Sequence, residues 1–94
     1  MGILKVSKEE IKEYERLKAI SKIAAIREKI ELFERKYNCS FEKFEREIET
    51  KDEEEFESWD DYLEWKAYMK ALKESEEMLK EIEDAQDIAI TQGE

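Results

Sequence analysis

An all-α fold is what this sequence predicts: an antiparallel helical hairpin of two long helices with one short helix between them, completing a bundle by dimerisation. Three observations carry that reading. The 94 residues contain no proline and two glycines, so little interrupts a helix once it has started. Charged residues make up 47% and apolar residues 40% of the chain, the mixture of helices with one sticky face. The apolar residues recur at steps of three and four, which is helical rather than strand spacing.

The first helix is expected over 8–36. Ser7 and Glu10 have the spacing of a capping box, and Val6 and Ile11 that of a hydrophobic staple. Its apolar positions are Ile11, Tyr14, Leu17, Ile20, Ile23 and Ile26, all at steps of three. Ile30, Phe33 and Tyr37 then follow at heptad-like steps. Each step of three slips about 60° around the axis, so the early stripe winds nearly once around the helix. Three helices of one chain offer too few neighbours to cover it. The expectation is a two-fold homodimer, with Tyr14, Leu17, Ile20, Ile23 and Ile26 as interface candidates. The plainer alternative leaves Tyr14 and Leu17 as single part-exposed surface residues.

Tyr37-Asn38-Cys39-Ser40 breaks the chain. Asn38 tolerates the left-handed conformation that ends helices, and Ser40 caps a short second helix over 41–50. Phe41, Phe44 and Ile48 share one face of it, and Cys39 with Phe44 has staple spacing. Cys39 is the single cysteine, which rules out an internal disulfide. It reads as a small buried apolar residue rather than a reactive thiol. The acidic run KDEEEFE, 51–57, reads as a loop with Phe56 alone among charges.

The third helix is expected over 59–85, with Ser58 as N-cap and Asp60 and Asp61 favouring the positive end of the helix dipole. Trp59, Tyr62, Trp65 and Tyr68 fan over about half the circumference, wider than one packing stripe. The head of this helix should therefore touch more than one neighbour. Leu72, Ser75, Leu79 and Ile82 settle into a narrower stripe that needs only one. Core packing is the commoner use of such rings. The alternative is docking, because aromatics carry much interface energy. On that alternative Phe56, Trp59, Tyr62, Trp65 and Tyr68, with Asp60 and Asp61, are the partner-binding candidates. The ends, 1–6 and 87–94, are expected to be flexible. In an antiparallel hairpin Ile3–Val6 and Asp87–Thr91 would lie together, where short strand pairing is an option. The whole chain, 1–94, fits one all-helical domain.

The net charge is −10, and it is unevenly spread. Residues 1–37 hold ten Lys/Arg against seven Glu, and residues 38–94 hold seven Lys/Arg against twenty Asp/Glu. Such a balance disfavours nucleic acid, which needs cations to neutralise phosphates, and suits a basic protein partner. The cations of the first helix (Lys8, Lys12, Arg16, Lys18, Lys22) are interleaved with Glu9, Glu10, Glu13 and Glu15. There is no histidine, which removes the usual general base and zinc ligand. The acidic run at 52–57 lacks the glycine and oxygen spacing of a calcium loop. No catalytic residue, cofactor or metal is expected, and the carboxylates read as a solvated face. No apolar run spans a membrane and no signal peptide is evident, so a cytoplasmic location is expected. Glu and Lys dominate while amides are few (Asn38, Gln86, Gln92), a composition that resembles hyperthermophile proteins.

The run Lys36-Tyr37-Asn38-Cys39-Ser40-Phe41-Glu42-Lys43-Phe44-Glu45, followed by Trp59-Asp60-Asp61-Tyr62-Leu63-Glu64-Trp65, is similar to small acidic helical antitoxins of archaeal and bacterial toxin–antitoxin pairs. The resemblance covers about 36–72. Asn38 stands where that family tends to have Gly at the helix end. The resemblance implies an acidic protein that wraps and masks a basic partner, often an RNA-cleaving toxin. The functional expectation is a non-catalytic interaction module, antitoxin-like, docking a basic protein. The alternative is a structural homodimeric bundle with no other ligand.

Overall fold

A computed structural model describes residues 7–50 and 56–92, the side chains of 56 and 86–92 excepted. Three helices follow in order: α1 (Lys8–Tyr37), α2 (Phe41–Thr50) and α3 (Phe56–Gln92). Among the described residues there is no strand.

Local chemistry fixes the ends of α1. The Ser7 side chain accepts the Glu10 backbone N–H at 3.1 Å, satisfying one of the orphan donors of the first turn. Asn38 closes the helix in the left-handed region at φ 52°, ψ 43°, the conformation Asn adopts more readily than most residues. Glu9 and Glu10 in the first turn and Arg35 and Lys36 in the last match the helix dipole. Ser40 then starts α2, its hydroxyl accepting the Lys43 N–H at 3.3 Å and its carbonyl the Phe44 N–H at 3.0 Å.

α3 departs from the sequence expectation at both ends. Ser58 is not its N-cap, because the helix already runs from Phe56. Ser58 is instead buried and hydrogen-bonds the Tyr37 hydroxyl. The tail remains helical through Gln92, so the described part of 87–94 is neither a strand nor an irregular end. Residues 1–6, the staple at Val6 and the connection at 51–55 lie outside the described residues.

α1 and α3 form an antiparallel hairpin. Tyr37 meets Asp61, Arg27 meets Glu76 and Lys12 meets Glu83, so positions move in opposite directions along the two chains. The seam on α1 is Ala19, Ile23, Ile26 and Ile30, all buried, continued by half-buried Phe33 and Tyr37. Those steps alternate four and three, a heptad stripe. On α3 the facing residues are Ser58, Asp61, Trp65, Tyr68, Leu72, Ser75, Leu79 and Ile82, every one buried or half-buried. α2 packs on the head of α3, where Phe41 and Phe44 meet Tyr62 and Trp65.

The core is concentrated at the closed end. Trp65 is 0% exposed and sits among four rings. Phe33 stacks on it at 5.5 Å, Tyr37 lies at 6.3 Å, Phe44 at 5.2 Å, and Phe41 meets it edge-on at 5.5 Å. Ile26, Ile30 and Tyr62 complete the buried cluster. Cys39 is half-buried against it, a packing residue as its sequence context suggests. The head of α3 thus touches two helices and its tail one.

The result is a thin rod. Its extents are 64 × 31 × 18 Å and its radius of gyration is 19.4 Å, against about 12 Å for a compact chain of this length. Its accessible surface is 7881 Å², where a globular chain of this mass exposes about 5800 Å².

Candidate functional site: the outer faces of the hairpin

The heptad seam decides which candidates remain accessible. Of the α1 positions singled out from sequence, Ile23 and Ile26 are buried in the intrachain seam and are not free to meet a second chain. They point at α3 because they sit on the four-three stripe. Tyr14 at 63% exposure and Leu17 at 51% lie on the opposite face, with Ile20 and Ile11 on its two edges.

The aromatic fan on α3 divides in the same way. Tyr62 and Trp65 are core, and Tyr68 is half-buried against Phe33. Neither Tyr62 nor Trp65 can anchor a partner without dismantling the closed end. Trp59 remains half exposed, joined on the same outer face by Leu63, and Met78 is exposed further along α3. Asp60 is exposed, while Asp61 is turned inward. The Phe56 side chain lies outside the described residues. Sequence reasoning passed over Leu63, Met78 and Leu32, all exposed. The signal was available for Leu63, four residues from Trp59 and therefore on the same face.

A polar cluster, unrecognised in the sequence, closes the hairpin. Lys36 Nζ donates to Asp61 at 2.7 Å and to Glu57 at 2.9 Å. The Tyr37 hydroxyl donates a short bond to the same Asp61 carboxylate. Burial pushes the Tyr37 hydroxyl up to about 12, helped by its bond to Asp61. Burial alone would raise Asp61, but the bonds from Lys36 and Tyr37 outweigh it and hold the carboxyl below its usual range. The bonds to Asp61 and Glu57 raise Lys36. Beside it, Tyr62 donates to Glu45 at 2.7 Å, tying α2 to α3 and raising the phenol. These groups have partners and lie against packed rings. They hold helices together.

At the other end the seam turns polar. Lys12 and Arg16 occupy the next two heptad positions of α1, and an open cleft of about 540 Å³ is lined by Glu9, Lys12, Glu13, Arg16 and Glu83. Arg16 is engaged by Glu13 at 3.2 Å, which raises the guanidinium and lowers the carboxyl. Lys12 donates to the Glu83 carbonyl at 3.4 Å. Among the described residues no group of three His, Cys, Asp or Glu could hold a metal ion. No described helix is long and apolar enough to cross a membrane.

A family model described as the Uncharacterized protein MJ0235 family matches residues 1–87. No curated protein and no solved structure matches the chain. With nearly its whole length matched, the chain belongs to the MJ0235 family.

Proposed function

We propose that this chain is a non-catalytic protein–protein interaction module whose third helix docks a basic partner protein. The observation that supports it is the pairing of Trp59 and Leu63, each half exposed on the outer face of α3. Asp60 and Glu64 stand exposed at its edge, with Lys66 and Lys70 further along the same helix. A flat aromatic anchor with charge on its rim is how many interfaces concentrate their energy. Residues 38–94 hold nearly three acidic groups for each basic one, so the partner is basic. Together with the resemblance of 36–72 to antitoxins, this makes masking of a basic toxin the specific form of the proposal.

The test is capture from an extract of the native host with wild type and with a Trp59→Ala, Leu63→Ala double variant. Both side chains are exposed, so the variant keeps the fold. A basic protein held by wild type and lost by the variant supports the proposal. Recovery of this chain alone, at every salt concentration, sinks it.

A second reading is self-association. It rests on a different observation, the exposed Tyr14–Leu17–Ile20 face of α1.

A further inference from the structure

We propose that one flank of α1, carrying Lys18, Lys22 and Lys29, docks an acidic amphipathic helix of a partner protein. Along the sequence the cations of α1 alternate with glutamates, but around the helix they separate. At about 100° per residue, Lys18, Lys22, Lys29 and Lys36 lie within an arc of about 40°. Lys36 is taken up by Glu57 and Asp61. The other three are exposed, and among the described residues none of them forms an ion pair. Glu15 is the one acid within about 60° of Lys18, while Glu10 and Glu28 stand about 80° away. α1 as a whole holds nine Lys/Arg and seven Glu. Its entire surplus of two lies in Lys18, Lys22 and Lys29 against Glu15, and the remaining charges of α1 balance six to six.

Two features choose the occupant. The first is charge complementarity. The three ammonium groups run about 17 Å along the helix, each within roughly a Debye length of the next, so they call for carboxylates set along a matching line. Lys22 and Lys29 are one heptad apart, the repeat at which a second helix laid alongside presents its flanking charges. A second α1 cannot supply those carboxylates, because this flank turned on itself sets lysine against lysine. The second feature is apolar. Ile11 and Tyr14 precede the lysines and Leu32 follows them, all within about 40° of Lys18 and each more than half exposed. A phosphate backbone would meet the cations but would leave these side chains without an apolar surface to cover them. The chain's net charge of −10 also repels a polyanion. A protein helix with carboxylates beside apolar side chains answers both features.

The test uses the full chain and a labelled synthetic helical peptide of Glu and Leu in heptad order, read by fluorescence anisotropy. Its counterpart with Gln for every Glu and a short DNA duplex serve as the other probes. Wild type should bind the Glu peptide, release it as salt rises, and bind the Gln peptide far more weakly. Lys18→Gln, Lys22→Gln and Lys29→Gln together should weaken binding about tenfold. Lys43→Gln, Lys73→Gln and Lys80→Gln remove the same charge from exposed positions elsewhere and should change it less than about twofold. Thermal melts of both triple variants check that the fold is kept. Equal losses in the two variants, or no binding of the Glu peptide, overturn the proposal. Tighter binding of the duplex than of the peptide overturns it in favour of nucleic acid. A wild-type dimer in sedimentation that the first variant alone dissolves overturns it in favour of a second copy. None of these outcomes touches the docking proposed for α3, whose Trp59 lies on a different helix.

Discussion

The Tyr37 hydroxyl and the Asp61 carboxylate join the last turn of α1 to the head of α3, with Lys36 bonded to the same carboxylate. This contact has a pH signature. The phenol is raised to about 12 from an ordinary value of about 10, so folding favours the neutral form. That contribution is complete below pH ~10 and is lost as pH rises towards ~12. Tyr37→Phe should flatten this alkaline limb in thermal melts taken across the window, and should cost about 1–2 kcal/mol at neutral pH.

Asp61 gives the opposite limb. Its carboxyl is lowered, so its contribution is present above the ordinary carboxylate range and falls away as pH drops through the folded value. Asp61→Asn should remove that part of the acid dependence. An acid melt as steep as wild type would show that Asp61 is not the group responsible.

Trp65 should dominate stability. It is sealed by Phe33, Tyr37, Phe41 and Phe44, and Trp65→Ala leaves a large cavity worth about 3–5 kcal/mol. Its indole Nε1–H has no hydrogen-bond acceptor among the described residues, and such an orphan costs about 1–3 kcal/mol. Trp65→Phe removes the orphan along with part of the ring. It should therefore lose much less than the alanine variant in urea titrations.

Asn38 offers a backbone test. At φ 52° a Cβ is strained by about 1–2 kcal/mol unless a local polar bond offsets it. Asn38→Gly should be neutral or slightly stabilising, and Asn38→Ala destabilising by about 1 kcal/mol. Equal midpoints for the two would exclude a conformational role.

Helix boundaries were legible wherever a polar residue could cap. Ser7, Asn38 and Ser40 announce their roles by residue type and by the composition of the neighbouring turn. Ser58 announced a cap just as clearly and was misleading, because a serine before two aspartates looks identical whether its hydroxyl meets a backbone N–H or a tyrosine across the hairpin. The seam of α1 was legible only in its second half, where Ile23, Ile26, Ile30, Phe33 and Tyr37 are themselves apolar. In the first half the heptad continues through Ala19, Arg16 and Lys12, while the greasier Ile11, Tyr14, Leu17 and Ile20 step by three on other faces. Hydropathy points outward there, and only the partner helix settles the phase. The Trp59–Leu63 face was half legible: the fan of rings was visible, but which rings α1 and α2 would take depends on tertiary packing. The Tyr37–Asp61 bond needed the relative stagger of two helices, which no local pattern encodes.

Concentrating the rings at one end gives the rod the mechanics of tongs. The pivot is the aromatic knot around Trp65, and at the free tips Lys12 reaches the Glu83 backbone carbonyl beside Arg16, which is bonded to Glu13 on its own helix. Parting the tips wets mainly groups already suited to water, with half-buried Leu79 and Ile82 the apolar exceptions, and leaves the knot untouched. Amide exchange along α1 should therefore slow steadily from Lys8 towards Tyr37, and the molecule can splay and reclose without baring the surface most prone to aggregate.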